Sequence, residues 1–313
     1  MVPLFFSIII PCFQQQPFLA ETLTSLKYQS QAGFEVIIQD GGSTDGSLEL
    51  LQEFIQSCPY PVHLESQTDG GQAAAINLGL AKARGDILCY LNSDDILYPG
   101  TLEKVAAIFE KHPDVDLVYG CGDYLDENGR YLRPYPVQKW DLEALQEKCF
   151  ICQPACFWRA GLTQKIGLFD KSLLGSFDYD YWLRVASVGR VYFLNEPLAG
   201  SRCHPGAKTF KYRKQLIEES CLVQARYNKG LISPRNAHEL ACVHAEQCLN
   251  WRLPRFLHRP VFYIRFFQRM LELAPKTRGF LRPGSWKHFL PSYANSQKIV
   301  SDPLFRVTGK MPS

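Results

Sequence analysis

The sequence predicts an α/β protein with a mostly parallel central sheet, helices on both of its faces, and a C-terminal helical extension. Three observations predict it. Strand-like and helix-like patterns alternate through the first 120 residues. The strand candidates are near-continuous apolar runs, the pattern of parallel strands buried on both faces, where a charge is costly. Beyond residue 210 the composition becomes basic, aromatic and helical. With 313 residues, 46% of them hydrophobic and 21% charged, the chain can bury a full core, which excludes a disordered protein.

In chain order, FFSIIIP (5–11) reads as a strand, 18–28 as an amphipathic helix, FEVIIQD (34–40) as a strand and 47–56 as a helix. The beat repeats with VHLES (62–66) as a strand, 73–83 as a helix, DILCYL (86–91) as a strand, 101–111 as a helix and VDLVYG (115–120) as a strand. In open sheets of this kind ligands sit beyond the carboxyl ends of the strands. Polar residues collect there: PCFQQ, QDGGSTDGS, SQTDGGQAAAIN and NSDD follow the first four strands.

QDGGSTDGS lacks the Lys-Ser/Thr ending of a phosphate loop and the spacing of a dinucleotide fingerprint, so Ser43 to Ser47 reads as a turn and a helix cap supplied by Asp45 or Ser47. That leaves Asp40, whose carboxylate comes directly off a buried strand and is placed to accept hydrogen bonds from a nucleobase edge. In TDGGQAAAINLGL, Asp69 is either a helix cap or a ligand residue, with Ala73, Ile76 and Leu80 as the buried stripe. Gln72 and Asn77 are either solvated polar positions or ligand contacts. In NSDD the adjacent Asp94 and Asp95 raise each other's pKa unless a cation or donors neutralise them. A cap near Pro99 would account for one of the two acids, not both. A sparse set of hard oxygens suits Mg²⁺ or Mn²⁺ held together with the phosphates of a nucleotide substrate.

SIIIPCFQQ, EVIIQDGGSTDGS, DGGQAAAINLGLAKARGDILCYLNSDD, QPACFWR and FDYDYWLRVASVG together resemble the family 2 glycosyltransferases of the GT-A fold, over about residues 5–210. The resemblance implies inverting transfer of a sugar from a nucleoside diphosphate sugar, with Mg²⁺ or Mn²⁺ as cofactor. It places a base contact on Asp40, a nucleotide contact on Asp69, the ribose on Asp94 and the metal on Asp95. Pro11, Gln72 and Asn77 are counted with the nucleotide-sugar residues. Many members carry two consecutive acids after the second strand; here Gly41 follows Asp40, and a UDP-linked donor is taken as the default. The same resemblance puts the general base that takes the acceptor proton on Asp178, with Asp180 as the alternative. His204 is assigned to the metal or diphosphate and Lys208 to the phosphate. Gln153 and Trp158 are acceptor contacts, Trp158 having a core role as its competing reading. The acceptor implied is a hydroxyl of a glycan or a lipid-linked saccharide, as in polysaccharide or cell-envelope glycan synthesis.

The domain organisation expected is a glycosyltransferase domain over 1–210 and a basic extension over 211–313. Residues 1–210 hold 16 Lys and Arg against 25 Asp and Glu, whereas residues 211–313 hold 18 against 6, so the two parts carry about −9 and +12. In the extension Tyr263, Phe266, Phe267 and Met270 fall on one helical face and Arg265, Gln268 and Arg269 on another, the pattern of a helix lying on an anionic membrane or of one packed back with a solvated basic face. The first run, LFFSIIIPCF, is too short, proline-bounded and without a basic flank to target the chain, and the odd total of 11 cysteines reads as reduced thiols. The expectation is a cytoplasmic protein, peripheral on the membrane's inner face if the helix docks there. No nucleic-acid partner is expected, because no recognition motif accompanies the basic tail.

Overall fold

The computed structural model describes residues 3–29, 33–247 and 255–277. At the centre of its sheet lies β1 (Phe5–Cys12), buried from Phe6 to Cys12. It runs parallel to β2 (Gly33–Asp40) on one side and β4 (Ile87–Tyr90) on the other, and β2 is parallel to β3 (Val62–Ser66). The connecting helices are α1 (Gln16–Leu26), α2 (Ser47–Ser57) and α3 (Gln72–Leu80), the βαβ rhythm the alternation predicts. Pro11 costs this central strand little: it lies two residues past Ile9, the last β1 residue paired with β4, so no ladder donor is missing on that side.

α3 is buried almost all round, from Ala73 to Asn77 and again at Gly79 and Leu80, rather than along the single stripe expected. Its small residues explain how. A Cβ at Gly79 would lie 2.5 Å from Ile9 Cγ2, so the helix approaches β1 more closely than any side chain would permit. On its far side Asn77 Nδ2 donates to Phe169 O at 2.9 Å and Phe169 N donates to Asn77 Oδ1 at 3.0 Å.

The second half of the sheet is mixed. After β5 (Ile96–Leu97) and α4 (Thr101–Lys111), β6 (Leu117–Leu125) does not lie beside β4. The four-residue β8 (Cys156–Arg159) inserts between them, antiparallel to both. β7 (Tyr131–Pro134) hairpins onto β6, and α5 (Leu142–Glu147) precedes β8. Past α6 (Ala160–Ile166) and α7 (Phe177–Val188), β9 (Val191–Arg202) runs parallel to β6 and antiparallel to β5. Among the described residues the strand order is β3-β2-β1-β4-β8-β6-β9-β5, with β7 paired to β6. The inserted strand brings Trp158 into a ring cluster with Phe169, Tyr181 and Trp182 at centroid distances of 5.5–6.1 Å.

The chain divides into two compact units, Met1–Trp140 with Phe150–Cys203, and Asp141–Cys149 with His204–Ser313. His204 and Lys208 therefore belong to the second unit, and α5 is recruited into it from the middle of the chain. The second unit contains α8 (Lys208–Lys211), α9 (Arg213–Tyr227), α10 (Pro234–Gln247) and α11 (Arg255–Leu273). Its core joins Ala237, Leu240, Ala241 and Ala245 of α10 to Phe262, Phe266, Met270 and Leu273 of α11. This divides the aromatic face expected from the sequence: Phe266 and Met270 are buried, whereas Phe267 is exposed beside Ile264 and Leu271. No helix among the described residues is long and apolar enough to cross a membrane, and none of the ten described cysteines is in a disulfide.

Candidate active site

The loops after β1 and β2 are stitched together at the carboxyl edge of the sheet. Gln14 N donates to Ser43 Oγ at 2.9 Å, Gln15 N to Ser47 Oγ at 3.0 Å and Gln16 N to Asp45 Oδ2 at 3.0 Å. Asp45 also accepts from Ser47 N, so the cap expected from the sequence is shared between the starts of two helices. Asp40 is 1% exposed and takes part in the same framework. Its carboxylate accepts from Gly42 N at 3.1 Å, Ser43 N at 3.0 Å, Ser66 Oγ at 2.6 Å and Ser43 Oγ. Three of these donors reach Oδ2 and one, Ser43 Oγ, reaches Oδ1. Asp40 thus shapes the loop from inside.

The open part of this edge lies one residue on. A Cβ at Gly41 would come 3.1 Å from the Phe13 ring and 3.3 Å from Asp69 Oδ2. Phe13 is 59% exposed, and Asp69 accepts from Gly71 N at 2.7 Å through its other oxygen. An exposed aromatic face and a carboxylate thus flank a backbone without a side chain. The sequence reading missed Phe13, although its position in PCFQQ, immediately after a buried strand, was a usable signal.

The turn after β4 is a polar network. Gln72 Nε2 donates to Asn92 Oδ1 at 2.6 Å; Asn92 Nδ2 donates to Asp95 Oδ2 and to Gln153 Oε1, each at 3.1 Å; Gln153 Nε2 donates to Tyr90 O at 2.7 Å. Asp95 is buried and accepts from Arg202 N at 2.8 Å, while Asp94 is partly exposed. Burial, and then the charge of Asp94, pushes the Asp95 carboxyl up to about 8, against the opposing pull of the Arg202 N–H, the Asn92 amide and the Arg202 charge. The hard oxygens of the two acids are of the kind that suit Mg²⁺ or Mn²⁺. No cluster of three or more acidic, His or Cys side chains that could hold a metal occurs among the described residues, so phosphate oxygens would have to complete the coordination.

Three other residues expected to contact ligands are engaged with the protein itself. Asn77 spends its amide on the Phe169 backbone. Gln153 is 8% exposed and tied to Asn92 and Tyr90. Trp158 is 0% exposed and donates Nε1–H to Thr163 Oγ1 at 3.0 Å, which resolves its two readings in favour of the core.

The two acids at the start of α7 differ. Asp180 is 3% exposed and paired with Arg184 Nε at 2.9 Å; Arg184 also donates to Ile166 O and Leu168 O. Asp178 is partly exposed and accepts from Tyr179 N at 2.7 Å, and burial raises its pKa to about 6, opposed by backbone hydrogen bonds. The preceding Phe177 packs on Tyr90, the last residue of β4, with ring centroids 6.3 Å apart, which brings the start of α7 to the Asn92–Asp95 turn. His204, in the second unit, is 6% exposed.

Known proteins share this architecture and sequence. An uncharacterized glycosyltransferase of Rickettsia typhi is 29% identical over 229 residues, covering 69% of each chain. A PGL/p-HBAD biosynthesis glycosyltransferase of Mycobacterium tuberculosis is 35% identical over 183 residues, 58% of this chain and 70% of that protein. Among solved structures, S. aureus TarS 1-349 in complex with UDP-GlcNAc superposes with a TM-score of 0.55 at 20% identity, covering 91% of this chain and 78% of that one. Mannosyltransferase PcManGT from Pyrobaculum calidifontis, in complex with GDP-Man and Mn²⁺, gives 0.53 at 14% identity, covering 97% and 83%. These two likenesses identify the fold as GT-A. Residues 7–167, just over half of the chain, match the family model described as Glycosyl transferase family 2. The chain belongs to that family and is a glycosyltransferase.

Proposed function

We propose that this glycosyltransferase passes a sugar, with inversion, from a UDP-linked donor to a hydroxyl of a glycan or lipid-linked saccharide. The observation that carries the reading is the place of Asp178, a carboxylate at the end of α7 that packs on β4 through Phe177 and Tyr90, where burial pushes its pKa up to about 6. As the acceptor oxygen bonds to the anomeric carbon, Asp178 takes its proton and the carbon–oxygen bond to the diphosphate breaks. Phe13 offers a stacking face for the base and Asp69 an acceptor for its N–H. Asp94 serves the ribose, and Asp95 would hold Mg²⁺ or Mn²⁺. The bound cation supplies neutralisation of charge on the departing diphosphate.

A thermal-shift screen of nucleotide sugars with and without Mn²⁺ tests the donor assignment. A donor at about 100 times its Kd stabilises by roughly 2.7 kcal/mol, a rise of about 5–10 °C for a unit of this size. Asp95→Asn is expected to abolish the Mn²⁺-dependent part of the rise. If UDP-sugars give no rise while another nucleotide sugar does, the base assignment is wrong.

A peripheral membrane location is the second part of the proposal. Ile264, Phe267 and Leu271 are 56%, 45% and 69% exposed, lie at helical spacing on the side of α11 away from its buried residues, and belong to a tail with a charge of about +12. Each Lys or Arg near an anionic surface contributes about 1 kcal/mol. Full-length protein should co-sediment with phosphatidylglycerol-containing vesicles and not with phosphatidylcholine alone. Phe267→Ser with Leu271→Ser should weaken this about tenfold or more. Unchanged partitioning by the double variant would remove the stripe from the interaction.

A further inference from the structure

Arg202 closes β9 with a side chain that is 0% exposed, and no motif in the sequence singles it out. Its Nη2 donates to Glu21 Oε2 at 2.6 Å, its Nε to Asp94 O at 2.7 Å, and its Nη1 to Asp126 O and Glu127 O, each at 3.3 Å. The guanidinium also lies over the Phe18 ring, 5.4 Å from its centroid. Burying an arginine is costly unless its donors and charge are matched, and here one carboxylate and three backbone carbonyls match them. The side chain thereby ties together α1, the turn after β6 and the acidic turn after β4. Its own backbone N–H, at the same time, aims Asp95 by donating to Oδ1.

We propose that Arg202, braced by Glu21, is a positioning residue that presets the Asp94–Asp95 turn for the metal–diphosphate group before any ligand arrives. The inference rests on the metal reading above. What Arg202 holds argues for this role: its side chain holds the main-chain carbonyl of the first acid and its backbone N–H the carboxylate of the second. The path of the chain around the turn has other supports. Thr22 Oγ1 donates to Asp95 O at 2.7 Å, and Ile96 and Leu97 pair with Gly200 and Ala199. Losing the guanidinium fork therefore frees the Asp94 peptide and the anchorage that fixes the Arg202 backbone N–H against Asp95, while the turn stays in place.

The test is the Mn²⁺-dependent gain in UDP affinity, measured by calorimetry on the full chain with and without the metal, beside a thermal melt. Arg202→Lys keeps the charge and loses the planar fork; Glu21→Gln, at a side chain 47% exposed, removes the charge of the brace with little risk to folding. Arg202→Lys is expected to cut the metal-dependent gain by about 10- to 100-fold and Glu21→Gln by a smaller factor, with metal-free UDP affinity unchanged. A wild type with a metal-dependent gain that both variants retain overturns the positioning role alone. Equal loss of metal-free and metal-dependent binding also overturns it, because that is general loosening. A wild type without any metal-dependent gain overturns the metal reading and this inference together.

Discussion

Asp178→Asn is expected to lower sugar transfer by about 10² to 10⁴-fold while making the protein more stable near neutral pH. Both effects come from one fact. Burial raises the Asp178 pKa from its ordinary 3.8 to about 6, so the fold disfavours the charged form of this carboxylate. A base in that state has enough proton affinity to take a hydroxyl proton and is still ionised at pH 7. Asparagine preserves its shape and cannot accept the proton. A folded-state pKa above the unfolded value means that the penalty is absent below about pH 4, grows as pH rises to about 6, and is constant above. The full shift corresponds to about 3 kcal/mol as a ceiling, and partial exposure brings the expected gain to about 1–2 kcal/mol. Wild-type transfer should correspondingly rise with pH through about 6. Melts of both proteins at pH 4 and pH 7, with initial rates across pH 5–8, check this: equal turnover, or a stability difference that is the same at both pH values, would remove Asp178 as the base.

The parallel half of the fold was legible because its signals are local. A strand buried on both faces has to be apolar, and the run that spells β1 or β4 is therefore continuous; β3 at Val62–Ser66 and α4 at Thr101–Lys111 fall on the residues the pattern selects. β8 was not legible. Its four residues are placed by pairing with β4 and β6, partners far apart in sequence, and no periodicity within CFWR specifies an insertion between two strands. The acid-rich strand ends were visible for the same reason as the strands, since a carboxylate ending an apolar run stands out. How each acid is used depends on distant partners. Ser66 comes from β3 to complete the donors around Asp40, and Phe169 approaches α3 to occupy Asn77. Arg202 was hidden because a buried arginine is unfavourable by composition and becomes favourable only when carbonyls from separate turns converge on it.

Asp180→Ala should act in the opposite direction from Asp178→Asn, although the two acids are two residues apart on one helix. Asp180 is 3% exposed and neutralises Arg184, whose remaining donors hold Ile166 O and Leu168 O and whose guanidinium lies 5.0 Å from the Tyr181 ring centroid. Tyr181 in turn stacks on Phe169 at 4.2 Å, so the ion pair braces the ring cluster behind the start of α7. Removing one partner of a buried pair leaves the other uncompensated and costs about 3–5 kcal/mol; the Arg184 side chain is 20% exposed, which favours the lower end. About 3 kcal/mol corresponds to a fall in Tm of roughly 6–12 °C for a unit of about 200 residues. Turnover measured well below the melting temperature should fall far less than in Asp178→Asn, because the proton acceptor is still present. A variant with an unchanged Tm and transfer reduced 10²-fold or more would reverse the assignment, moving the base to Asp180 and leaving Asp178 with a structural role.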